Sequence, residues 1–173
     1  MAGLGHIGFG LAAKPIAPKV HLVFLLIASE LIDILWGLFY FTGIDTGVAT
    51  NSFPWSHSLF MSMIWSALAA LFIILIYKDL RSGLVIGLLV FSHWVFDFIP
   101  HPMGAIFGGQ PLPPDLPLFF NNSPKVGLGL YNHSYTIAFA TDIIVLILGM
   151  GIYIWHRINL TKHRKRSSFN NPH

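Results

Sequence analysis

Four apolar runs, at 20–42, 57–77, 83–100 and 134–156, set the limits on what this chain can become. About 20 apolar residues suffice to carry a helix across the hydrocarbon core of a bilayer. A helix also satisfies its own backbone polar groups where lipid offers none. Only 10% of the 173 residues are charged and 54% are hydrophobic, whereas a soluble domain carries about 25% charged residues. The expectation is an all-α integral membrane protein, a four-helix bundle with a short N-terminal apolar segment and a long outward loop. Its length suits one domain, with residues 1–160 embedded and 161–173 forming a basic cytoplasmic tail. The chain has no cysteine, which excludes disulfides, thiolate metal sites and a cysteine nucleophile.

The first 18 residues have neither the charged start nor the small-residue cleavage site of a removable signal peptide. Gly3-Leu4-Gly5-His6-Ile7-Gly8 has the spacing of a dinucleotide fingerprint, but no strand precedes it, so that reading is rejected. Small residues recur along two of the spans, Ser62, Ser66 and Ala70 in one and Gly83 and Gly87 in the next. Such stripes let membrane helices approach closely. Of the ten lysines and arginines, Lys14, Lys19, Lys78, Arg81, Arg157, Lys162, Arg164, Lys165 and Arg166 fall on the side of the termini. Lys125 alone falls on the other. The positive-inside rule then places both termini in the cytoplasm of a multi-pass protein, with the loops at 43–56 and 102–132 facing outward. The basic tail reads as a topology signal, and no nucleic-acid partner is expected. The proline- and glycine-rich loop at 102–132 has an apolar stretch, Leu116 to Phe120, suited to a lid or a lipid contact.

Ionisable groups inside such spans are costly and point to function. The third run ends in Ser92-His93-Trp94-Val95-Phe96-Asp97, and residues four apart share one helix face. Asp33 and Glu30 interrupt the first run, His57 opens the second, and His101 and His133 stand at the rim of the long loop. Imidazole and carboxylate suit a divalent metal, zinc first, with manganese or iron as alternatives. His57, His93, Asp97 and Asp33 form the expected ligand set, with His6, Glu30, His101 and His133 as further candidates. Ser56, Ser58 and Ser92 are candidates for orienting the imidazoles. His6 belongs by topology to the cytoplasmic side, so it reaches the others only if residues 1–18 re-enter the membrane or if the site lies near mid-depth. Asp142 has no pattern partner and reads as a helix-to-helix contact.

Gly5-His6-Ile7-Gly8-Phe9, the acidic end of the first run, Ser56-His57-Ser58-Leu59 and Ser92-His93-x-x-x-Asp97 together resemble the YdjM-like family of membrane-bound, metal-dependent hydrolases. The resemblance covers about residues 1–104. It implies hydrolysis at a metal site that includes His6, Asp33, His57, His93 and Asp97. The chain departs from the pattern in two places. Asp33 stands without the family's first aspartate, and Ser52-Phe53-Pro54 replaces a His-Arg-Gly sequence. The resulting expectation is a metal-dependent hydrolase of the cytoplasmic (inner) membrane, a phosphoesterase on a lipid or other amphiphilic substrate. The competing readings are a transporter or proton- or cation-translocating protein, and a non-catalytic member of the same scaffold. The inner halves of the spans are almost purely apolar apart from His21, which counts against a path across the membrane.

Overall fold

Helices α5 (Leu59–Tyr77) and α6 (Leu80–Phe98) form the central hairpin, and the small-residue stripes are its seam. A Cβ on Gly83 would fall 2.3 Å from Ile74 Cγ1, and one on Gly87 would fall 3.1 Å from the Cβ of Ala70. The turn between them places Lys78 in the left-handed region (φ 52°). Asp79 then caps α6, accepting from the backbone N–H of Ser82 at 2.9 Å and pairing with Lys19 Nζ at 2.9 Å. The structure, a computed structural model, describes residues 3–45, 53–102, 112–120 and 122–170, with side chains as far as 162. Parts of the two loops expected to face outward therefore lie outside the described residues, namely 46–52, 103–111 and 121, as does the end of the tail at 171–173.

Four helical stretches are long and apolar enough to cross a membrane: Leu22–Thr42, Leu59–Tyr77, Leu80–Phe98 and Tyr135–Lys162. This is the multi-pass helical bundle expected, with two differences. The first span is two helices, α2 (Leu22–Ser29) and α3 (Leu31–Thr42), broken at Glu30, whose φ of −104° and ψ of 3° leave the helical region. The last span does not stop near residue 156. After α4 (Pro54–His57) and α7 (Leu130–His133), α8 runs from Tyr135 to Asn170. No proline or glycine follows Gly151 before Pro172 to end it. Its 36 residues give a rod of about 54 Å, longer than the hydrocarbon core is thick.

The N-terminal apolar segment forms α1 (Leu4–Ala12), too short to cross a bilayer. It lies backbone to backbone on α8: a Cβ on Gly149 would fall 2.0 Å from the carbonyl oxygen of Gly8, and one on Gly8 would fall 2.5 Å from that of Val145. Its other side meets α2. Gly10 sits beside Leu25 and Ser29, and Gly3 beside Glu30, so the two helices run in opposite directions. Between them the chain turns at Lys14, whose ammonium donates to the carbonyls of Pro18 (2.9 Å) and Val20 (2.6 Å). The antiparallel pairing of α1 with α2 is what brings His6 up beside Asp97.

Leu25, Ile32, Ile73, Ile86 and Val90 are buried at the centre of the bundle, with Ala13, Ala17 and Val20 of the turn packed below them. The outer faces carry Phe72, Leu88, Ile147 and Leu148, all more than half exposed, as a lipid-facing surface requires. At the opposite end from the Lys78 turn, a two-residue antiparallel ladder pairs β1 (Leu116–Pro117) with β2 (Lys125–Val126). It is anchored on α5 through the N–H of Phe60, which donates to Leu118 O at 3.1 Å. Leu128 and Gly129 tie the approach to α7 onto the end of α6. The apolar stretch at Leu116–Phe120 thus folds down over the ends of α5 and α6.

Candidate metal centre

The break at Glu30 places the carbonyl of Ser29 opposite α6, where His93 Nδ1 lies 2.8 Å from it. A carbonyl only accepts, so Nδ1 carries a proton, and in the neutral ring Nε2 is left bare. His57 is fixed the same way by different groups. Asp45 accepts from the Ser56 hydroxyl at 2.8 Å and from the Ser56 N–H at 2.9 Å. The hydroxyl has spent its one proton, so at 3.0 Å from His57 Nδ1 it accepts from that nitrogen. Both neutral rings therefore turn a proton-free Nε2 toward the same place. Ser58 instead caps α5, accepting from Met61 N–H, and Ser92 donates to the Leu89 carbonyl.

Two carboxylates meet these nitrogens. Asp33, one turn into α3, has Oδ1 3.2 Å from His57 Nε2 and 3.5 Å from His93 Nε2. Asp97, one turn beyond His93 on α6, has Oδ2 3.3 Å from His93 Nε2 and 3.6 Å from His57 Nε2. Two ligand atoms each about 2.0–2.1 Å from a tetrahedral zinc ion stand about 3.3–3.4 Å apart. The four carboxylate-to-imidazole separations bracket that edge length, and Asp33, His57 and His93 each offer one ligand atom within 4.8 Å of the others, a spacing that suits a divalent ion. His93 Nε2 is buried and meets no hydrogen-bond partner of good geometry among the described residues. A native buried polar atom left in that state calls for an explanation such as an ion.

His6 joins the group from α1, 1% exposed. Its Nε2 is 3.3 Å from Asp97 Oδ1, and its ring stacks on that of His93 at 3.7 Å. Neither of its nitrogens has a hydrogen-bond partner among the described residues. Glu30 borders the cluster with Oε1 buried and, among the described residues, without a hydrogen-bond partner. His101 stands one turn past Asp97, 6.5 Å from His57 between ring centres, and pairs with Asp115 at 2.9 Å. His133 is exposed on α7 and none of its atoms belongs to the cluster. Asp142 is a helix-to-helix contact, accepting from Gly5 N–H at 3.2 Å and from the Tyr131 hydroxyl at 3.3 Å.

The structure thus brings together two overlapping groups capable of coordinating a metal, His6 with His93 and Asp97, and Asp33 with His57 and His93. Asp45 was not foreseen. It lies in the loop after α3, eleven residues before Ser56, and its one cue was an acid standing alone in an otherwise uncharged loop. The cluster is closed on most sides. The side chains of His93, Asp97 and His57 are 0%, 3% and 9% exposed, against 39% for Asp33. Asp33, the most exposed of these, stands on α3 three residues before Trp36, whose ring meets that of Phe53 edge to face at 5.6 Å. Compared with family models, curated proteins and solved structures, the chain matches none.

Proposed function

We propose that this chain is a metal-dependent hydrolase of the cytoplasmic membrane, acting on a phosphoester whose other part is apolar. The observation that carries the reading is the set of donor atoms Asp33 Oδ1, His57 Nε2, His93 Nε2 and Asp97 Oδ2, in which each carboxylate oxygen lies 3.2–3.6 Å from both imidazole nitrogens and both imidazoles are held from behind. Zinc matches the donor set best, with manganese and iron as alternatives. A divalent ion held there polarises a phosphoryl oxygen and acidifies water. The protein's own residues do the rest. Ser56 and the Ser29 carbonyl hold the imidazoles in one tautomer, and Asp97, almost wholly buried, keeps its carboxylate away from bulk water. Asp33, the most exposed of the four, stands where substrate enters.

The surroundings support an amphiphilic substrate. Trp36 packs on Phe53 one turn beyond Asp33, and the lipid-facing exterior of α3 continues from there through Leu38 and Phe41. An apolar tail can stay in the bilayer while the ester reaches the cluster. The packing of Leu25, Ile32, Ile73, Ile86 and Val90 beneath the cluster argues against a translocation path. The resemblance to the YdjM-like hydrolases agrees with this reading and adds the reaction class.

The test is metal content by mass spectrometry on detergent-purified full-length protein, wild type beside His93→Ala and Asp97→Ala, followed by headgroup release from phospholipid vesicles. The expected result is bound metal in the wild type, loss of it in both variants, and hydrolysis that follows the metal. A wild type that is metal-free after purification without chelators would sink the reading.

A further inference from the structure

His6 does not fit around the same ion as His93, and the misfit is geometric. An imidazole ligates through a lone pair in the plane of its ring, so two imidazoles on one ion need ring planes that meet at that ion. His57 and His93 meet the condition, with an interplanar angle of 71°. His6 and His93 do not: their planes are 9° apart and their centres 3.7 Å apart. An ion in the plane of one ring is displaced from the other by nearly the whole stacking distance. Proximity of the nitrogens alone would admit His6, His93 and Asp97 as a ligand triad, but the directions of the lone pairs do not.

Asp97 shows where His6 belongs. Its two oxygens face different partners, Oδ2 toward His57 and His93, and Oδ1 toward His6 Nε2 at 3.3 Å. That distance is again a ligand-to-ligand edge of a zinc-like ion. Glu30 adds a second oxygen donor on this side. Its Oε2 lies 3.8 Å from where a Cβ on Gly3 would be, against the first turn of the helix that carries His6, and its Oε1 is buried without a hydrogen-bond partner among the described residues. We propose that Asp97 bridges two metal centres. The first is held by Asp33, His57, His93 and Asp97 Oδ2, and the second by His6, Asp97 Oδ1 and Glu30. The inference rests on the proposed metal site and extends it: paired ions let one hold the attacking oxygen and the other the leaving oxygen of a phosphoester.

The experiment strips detergent-purified full-length protein with chelator, reloads it with Mn²⁺, removes unbound ion, and counts metal by mass spectrometry beside electron paramagnetic resonance. Wild type is expected to hold about two equivalents with an exchange-coupled signal, the mark of two bridged ions. His6→Ala is expected to hold about one equivalent, with an uncoupled spectrum. His6→Gln and Glu30→Gln, each checked for a monodisperse elution profile, should weaken the second equivalent by at least about tenfold while leaving the first. Asp97→Ala should lose both. One equivalent in wild type, retained by His6→Ala and lost by His93→Ala, would overturn the second centre and leave the hydrolase reading standing. Loss of all metal in His6→Ala would place His6 on the first ion and overturn the bridge. No metal in wild type would overturn both proposals.

Discussion

Ser56 decides which nitrogen of His57 is bare, and it does so only because Asp45 takes its proton. Replacing Ser56 with Ala removes the acceptor for His57 Nδ1–H, and the ring is then free to present either tautomer. The expected outcome is a loss of first-centre metal affinity of about 10–100-fold, the usual effect of removing a partner behind a metal-bound histidine. His93 keeps its own anchor on Ser29, so binding should weaken rather than vanish; metal titration of purified Ser56→Ala checks this. The residues facing the cluster were legible in the sequence because each is an imidazole or carboxylate in or against an apolar run, where such groups are rare. The groups behind them were not. Asp45 is separated from Ser56 by a loop of undistinguished composition, and the anchor for His93 is a backbone carbonyl, which has no letter in a sequence.

Among the elements, the four spans could be read from hydropathy, and so could the seam between α5 and α6, since its glycines recur every four residues. The break at Glu30 could not. No proline or glycine marks it, and the helix stops where a tertiary contact, Ser29 carbonyl to His93, competes for the chain. The seat of α1 was equally hidden, because its complement, Gly149, is 141 residues from Gly8 and neither glycine belongs to a repeat within one span. That seat gives a prediction. Gly149→Leu puts a side chain where the Gly8 backbone lies, and overpacking of this kind costs about 1–3 kcal/mol. The variant should melt at lower temperature in detergent. Because α1 carries His6 but none of the first-centre ligands, it should lose the second metal equivalent while keeping the first. Equal loss of both in Gly149→Leu would mean that α1 supports the whole bundle rather than one ligand.

At the scale of the whole molecule, the cluster lies at one end of the α5–α6 hairpin with apolar packing beneath it, so the reaction we propose is one-sided. Which side it faces follows from charge. Lys14, Lys19, Lys78 and Arg81 gather at the opposite end, where α8 also emerges with Arg157 and Lys162, while Lys125 sits by the β1–β2 turn at the cluster end. Basic residues are retained on the cytoplasmic side, so the cluster should face outward and the end of α8 inward. The absence of cysteine makes this directly testable, since any introduced thiol is unique. Asn122→Cys places one beside the β1–β2 turn at an exposed position, and Thr161→Cys places one at an exposed position near the far end of α8. From Tyr135, residue 161 is about 39 Å along the helix, past a hydrocarbon core of about 30 Å. In intact cells a membrane-impermeant maleimide should label Asn122→Cys and leave Thr161→Cys untouched until the membrane is opened. The reverse pattern would turn the cluster toward the cytoplasm, and its substrate would then be an amphiphile of the inner leaflet.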